Sequence, residues 1–225
     1  EGALQPLTQL QWTRIQQQAP TAQFIESLHV TLGASAELAL QNVALGGQFA
    51  RTTARIELAG AGARLALHGL ALADATRVVD GYVHVEHLAA HTRTTEIFRG
   101  ITGGRGRVAF NGHITVNASA PQSESEQSLR GLLAGALCEL DLRPQLEIYT
   151  DAVKASHGAT SGKLDDNMMF YLLSRGIDPD TAQGLLKWAF LEDVVSQIAR
   201  RDLRSQIEAQ IAARLGDVPV AAELL

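Results

Sequence analysis

Cysteine occurs once in the 225 residues, at Cys138. A lone thiol can form no disulfide within the chain and cannot complete a cysteine-based zinc or cluster site. Such sparing use of cysteine suits a reducing compartment. Aromatic residues make up only 5%, few for the aromatic platforms of a carbohydrate-active solenoid. An excess of positive charge is also missing. The formal net charge is -5, which argues against a nucleic-acid face and offers no polybasic membrane anchor. No uninterrupted apolar run approaches the roughly 20 residues a membrane helix needs. The chain opens on Glu1 without a charged-then-apolar leader and reads as a fragment whose N-terminal part is missing. What remains is globular: 46% hydrophobic and 19% charged, enough for one large domain or two smaller ones.

Apolar and polar residues alternate over Phe24 to Leu32, Arg77 to Val85 and Val108 to Val116. A period of two is the signature of strands. Two stretches repeat. Leu32 to Leu45 aligns with Ala59 to Leu72, matching Gly33 with Gly60, Leu38 with Leu65, Leu40 with Leu67 and Val43 with Leu70. An offset of about 27 residues falls in the range of solenoid coils, each of which buries its face on the next. Residues 1–163 are therefore expected to form a mainly β, right-handed parallel β-helix-like solenoid; a β-sandwich of short strands is the weaker alternative. The small polar stretch from Ala118 to Arg130 reads as a loop, with Leu129 to Cys138 re-entering the core.

After Gly162 the period changes. Asp165 or Asp166 can cap a helix through Met168, Met169, Phe170, Leu172 and Leu173 that ends at Gly176. Asp178 and Pro179 then restart a helix, a cap followed by proline at the first helical position. Its apolar stripe reads Ala182, Leu185, Leu186, Ala189, Phe190, Val194 and Ile198. A last helix carries Leu203, Ile207, Ile211 and Leu215 and stops at Gly216. Residues 164–225 thus make a small C-terminal α-helical domain.

Few residues suggest chemistry. His157 lies between Ser156 and Gly158, where a tight backbone can present the imidazole outward, and neutral imidazole is a good iron ligand. One histidine holds no metal alone, so on spacing alone a surface histidine in a turn fits better. His84, Glu86, His87 and His91 form the rival cluster. Strand parity puts His84 and Glu86 on one face and His87 and His91 on the other, which favours ordinary polar positions over a metal site. Glu147 should point away from the core that Leu146 and Ile148 enter. Gly100 to Arg107 lacks the Gly-Lys-Ser/Thr ending of a P-loop and reads as a β-turn. There is no Gly-x-Ser-x-Gly elbow, and adjacency of Ser156 and His157 does not make a triad. Cys138, in an apolar run, reads as buried and structural.

Several motifs together resemble one family. Leu146-Glu147-Ile148-Tyr149, Val153-Lys154, Ser156-His157-Gly158-Ala159-Thr160, Val108 to Gly112 and Phe170 to Ile177 are similar to the C-terminal core of SufD, of the SufB/SufD family that assembles iron–sulfur clusters. The likeness spans nearly the whole chain and is stronger from 106 to 200; the His157-Gly158 pair matches SufD better than SufB. It implies a non-catalytic scaffold that pairs with a SufB-like subunit, or with itself as a homodimer, through the β-helix. The terminal helices would dock a SufC-like ATPase. His157 would be the cofactor-binding and metal residue, helping to hold a transient iron–sulfur cluster or iron at a shared subunit interface, with none bound by this chain alone. The resemblance also implies a cytoplasmic protein with no nucleic-acid or membrane partner. One departure stands out. Where the family usually reads Val-Lys-Cys-Ser-His-Gly-Ala-Thr, this chain has Ala155 in place of the cysteine, which removes a thiolate and puts more weight on His157. A solenoid interaction module without a metal role is the alternative.

Overall fold

The computed structural model describes residues 1–215. Strands β1 (Gly2–Leu4), β3 (Gln23–Leu32), β5 (Phe49–Leu58), β7 (Val78–His87), β9 (Arg107–Val116) and β11 (Glu139–Ile148) form one parallel sheet in that order. Strands β2 (Gln9–Gln16), β4 (Glu37–Ala44), β6 (Arg64–Ala73), β8 (Arg93–Thr102), β10 (Ser123–Leu133) and β12 (Val153–Gly162) form the second. Consecutive strands alternate between the sheets, so the chain winds as a two-sheet solenoid. Helices α1 (Asp166–Ser174), α2 (Pro179–Val195) and α3 (Arg201–Leu215) follow.

The sequence repeat is the strand register. Leu38 pairs with Leu65, Leu40 with Leu67 and Val43 with Leu70 between β4 and β6. Partners elsewhere lie from 26 positions apart (Gln23 and Phe49) to 32 apart (Arg107 and Glu139). In-register stacking buries like against like. Leu38, Leu40, Leu65 and Leu67 fill the inside of the early coils, each side chain contributing roughly 2 kcal/mol by leaving water.

The corners repeat too. Leu7, Ser35, Gly62, His91 and Gln122 all adopt positive φ. Each donates its backbone N–H to a carbonyl of the following coil: Ala34, Ala61, Ala90, Pro121 and Ala152 in turn. Left-handed backbone thus recurs as a column, and only one member is glycine.

The outer face of the second sheet is covered over its middle strands, β4 to β10. Val43, Leu45, Leu70, Leu72, Ile101 and Leu132 pack against Trp188, Leu191, Val195, Ile198, Ile207 and Ile211 of the helical tail. A buried guanidinium closes this seam: Arg99 bonds Asp193 of α2 at 2.7 Å and the carbonyls of Phe98 and Ser128 at 3.0 and 3.3 Å. Both helix starts form as the sequence predicts. Asp165 accepts from the N–H of Asn167 and Met168, and Asp178 accepts from that of Thr181. Gly176 ends the first helical segment at φ 82°.

Three expectations need correction. Ala118 to Arg130 is not a loop throughout, because Ser123 to Leu133 is strand β10, with Ser123, Ser125, Gln127 and Leu129 buried at alternate positions. Of the expected α2 stripe Ala182, Val194 and Ile198 are buried, but Leu185, Leu186 and Phe190 are only half-buried and Ala189 is exposed, and Gly184, Trp188, Leu191 and Val195 complete the buried face. Trp188 drives this rotation, since it is the largest apolar side chain on the helix and buries more area than Ala189 or Leu185 could. Cys138 is half-buried in a turn, its thiol 3.1 Å from the Gly135 carbonyl. The predicted stop at Gly216 lies outside the described residues.

Candidate functional site

Inside the solenoid, composition changes from coil to coil. One inward rung runs Leu40, Leu67, Glu96, Gln127, His157 on strands β4, β6, β8, β10 and β12, each residue in register with the next. The first two are aliphatic core. The next two are polar and buried: Glu96 is fully enclosed and Gln127 nearly so. Gln127 Nε2 donates to Glu96 Oε2 at 2.7 Å and, across the interior, to the Gly112 carbonyl at 2.9 Å. Room for the amide comes from Gly112, where a Cβ would stand 2.4 Å from Gln127 Nε2 and 2.9 Å from Glu96 Oε1. Burial pushes the Glu96 carboxyl up to about 7, against the hydrogen bond from Gln127, which favours the charged form. Glu96 Oε1, Gln127 Oε1 and Ser125 Oγ are buried without a hydrogen-bond partner among the described residues.

His87 is a second buried polar group, on β7. Its Nδ1 lies 2.8 Å from Thr92 Oγ1 and its Nε2 3.0 Å from Thr94 Oγ1. Burial lowers its pKa to about 4, so the ring is neutral at neutral pH.

His157 is the last rung and the exposed one. β12 is an edge strand, hydrogen-bonded to β10 on one side only, and His157 stands on its inward-facing side at the open end of the solenoid. Ala155, two residues before, is in register with Ser125. The position of the absent thiol is therefore also on the inner side of the mouth. The resemblance had singled out His157, but Glu96 and Gln127 were missed. Alternation of Ser123, Ser125, Gln127 and Leu129 was the signal that could have revealed the inward polar lane.

The rival histidine cluster comes apart. His84 and Glu86 do share the bare outer face of the first sheet, 3.4 Å apart, whereas His87 points inward and His91 is a corner residue. His84 instead stacks on His113, one strand over, with ring centroids 4.4 Å apart. Burial and the neighbouring His113 lower the pKa of His84. Glu147 faces outward as expected, beside His113 at 3.4 Å and the Tyr149 hydroxyl at 3.2 Å. Among the described residues, no three histidine, cysteine, aspartate or glutamate side chains are grouped to hold a metal ion, and no helix is long and apolar enough to cross a membrane.

Helix α1 buries none of its residues. Met168, Phe170, Tyr171 and Leu173 are all exposed, Phe170 to 72%. Four large apolar side chains on nine residues form the kind of surface that marks an interaction site.

Residues 3–190 match the family described as SUF system FeS cluster assembly, SufBD core domain. The chain belongs to the SufB/SufD family. It is 36% identical to the iron-sulfur cluster assembly protein SufD of Escherichia coli over 171 residues, 76% of this chain and 40% of that protein. A SufBD family protein of Mycobacterium leprae is 29% identical over 195 residues, 83% of this chain and 50% of the relative. A chloroplastic protein of Arabidopsis thaliana is 26% identical over 218 residues, covering 96% of this chain and 46% of its own length. This SufBD chain thus spans half or less of the length of these curated relatives. The match covers the whole solenoid and most of α2, so His157 and its rung lie within the family's core domain.

Proposed function

We propose that this chain is a non-catalytic scaffold in an iron–sulfur cluster assembly complex, and that His157 supplies one ligand to iron or to a nascent cluster at an interface between subunits. The observation that carries the reading is the position of His157: the last inward rung, on an edge strand paired on one side only among the described residues, at the open end of a stack of coils. An edge strand exposes a row of backbone donors and acceptors that a second solenoid can extend. The partner is a SufB-like subunit or another copy of this chain. A lone imidazole cannot hold a metal, so the other ligands come from across that interface, and the alanine at position 155 leaves no thiolate on this side. Cluster and iron are cargo here.

The exposed apolar side chains of α1 are read as the dock for a SufC-like ATPase, which would place the complex in the cytoplasm. The acceptance test is anaerobic co-expression of the protein with SufB-like and SufC-like partners, comparing wild type with His157→Ala for complex formation, bound iron and sulfide. An intact complex that has lost its cluster supports the ligand role. An intact complex with unchanged iron and sulfide removes that role and leaves a docking scaffold.

A further inference from the structure

Gln127 has a fixed orientation and an unused oxygen. Both hydrogens of its amide are taken, one by Glu96 Oε2 and one by the Gly112 carbonyl, and this pair of bonds decides which end of the side chain is nitrogen. The oxygen is buried and unpartnered, a state that costs free energy until a donor arrives. The next residue on the same rung, one strand spacing of about 4.8 Å further, is His157. Its imidazole always carries at least one N–H and is exposed; as the side chains stand it does not reach the Gln127 oxygen, and a rotation of the ring toward the interior would bring it there.

We infer that Gln127 is a positioning residue for His157: its Oε1 accepts the ring N–H, so that one nitrogen is held protonated toward the interior and the other presents a bare lone pair out of the solenoid mouth. Glu96 secures the amide from behind, and Gly112 gives it space. The buried Glu96 and Gln127 then have a purpose. They build an outer-shell partner of the kind that ligating histidines need to fix ring tautomer and direction. The purpose rests on the ligand role proposed for His157; the hydrogen bond itself does not, because it can be read without iron.

The test is the ring-nitrogen NMR spectrum of the full-length chain labelled with 15N-histidine, recorded at pH 8, with the His157 signals identified by their loss in His157→Gln. One fixed tautomer is expected in the wild type. Gln127→Met, similar in length but without an acceptor, is expected to release His157 into the averaged tautomer mixture of a free imidazole. Glu96→Gln, which still offers an acceptor to the Gln127 amide, should keep the fixed form. Averaged His157 shifts in the wild type overturn the inference without any variant, so it stays testable even if Gln127→Met fails to fold. Unchanged His157 shifts in a folded Gln127→Met protein overturn it as well. Loss of cluster in His157→Ala alongside averaged wild-type shifts would keep the ligand and discard Gln127. A fixed tautomer with unchanged iron in His157→Ala would do the reverse.

Discussion

Glu96 and Gln127 lie on adjacent coils inside the solenoid, joined by a 2.7 Å hydrogen bond from amide to carboxylate. That bond does not offset burial, and the carboxyl keeps its proton up to about pH 7, whereas an ordinary glutamate loses it near 4.5. The unfolded chain therefore releases this proton first, and stability falls as pH rises from about 4.5 to 7, by about 3 kcal/mol in all. Glu96→Gln removes the fall. It should raise the urea midpoint at pH 7.5 and change little at pH 4.5; an equal change at both values would contradict the assignment.

His87 gives the opposite slope. Its folded value near 4 lies below the ordinary 6.5. Its stabilisation is thus complete above pH 6.5 and is lost as pH falls toward 4, again by about 3 kcal/mol. In the wild type the two slopes largely cancel between pH 4.5 and 6.5. Urea titrations of Glu96→Gln should expose the His87 slope, with stability climbing with pH, while those of His87→Gln should expose the falling slope of Glu96.

Gly60 marks where two corners touch. A Cβ there would lie 2.0 Å from the Ala34 nitrogen and 2.2 Å from the Gly33 carbonyl carbon, both backbone. Gly60→Ala must push coils apart and should cost at least about 3 kcal/mol. At Gly131 the added Cβ meets only the end of the Leu140 side chain, which can rotate away. Thermal unfolding should rank Gly60→Ala well below Gly131→Ala.

Arg99 ties the helical tail to the solenoid. Its side chain is 5% exposed, against 57% for Asp193. Asp193→Ala leaves a buried guanidinium with only two carbonyls and a distant hydroxyl for partners, and should cost more than Arg99→Met, which removes the charge and keeps the bulk. The expected difference is about 1 kcal/mol or more, read from denaturant unfolding, with cleavage in α2 or α3 under limited proteolysis rising in the same order.

Phe170→Asp on helix α1 alters a side chain that is 72% exposed. Stability should move by no more than about 0.5 kcal/mol, while co-purification with a SufC-like ATPase, the partner proposed for this helix, should fall at least tenfold. Unchanged co-purification would place the ATPase dock elsewhere.

How much of this was legible in the sequence depended on the physics involved. Stacked leucines announce their own register, because Leu38 and Leu65 must meet if each coil is to bury the next. Caps announce helices, because Asp165 and Asp178 satisfy backbone donors locally. The polar rung did not announce itself. Ser123, Ser125 and Gln127 carry the composition of a loop, and only their period of two betrays a strand. Their burial depends on Glu96 and Gly112, brought close by the winding of the coils and invisible to any local window. His84 and His113 are 29 positions apart and meet for the same reason. His91 was misleading, since a histidine among other histidines was only a corner in left-handed backbone.

The one-to-one register between coils also limits how such a chain can change length. Removing a single residue from the start of β8 would turn every later side chain of that strand from one face to the other, sending Glu96 outward and Ile97, which packs toward the helical tail, into the solenoid interior. Residues added at a corner alter no facing at all, which is how coils of 26 and of 32 residues coexist in the same stack. Length variants of this fold should therefore differ in their corners or by whole coils, and the distance from any coil to the open mouth should change in steps of one strand spacing.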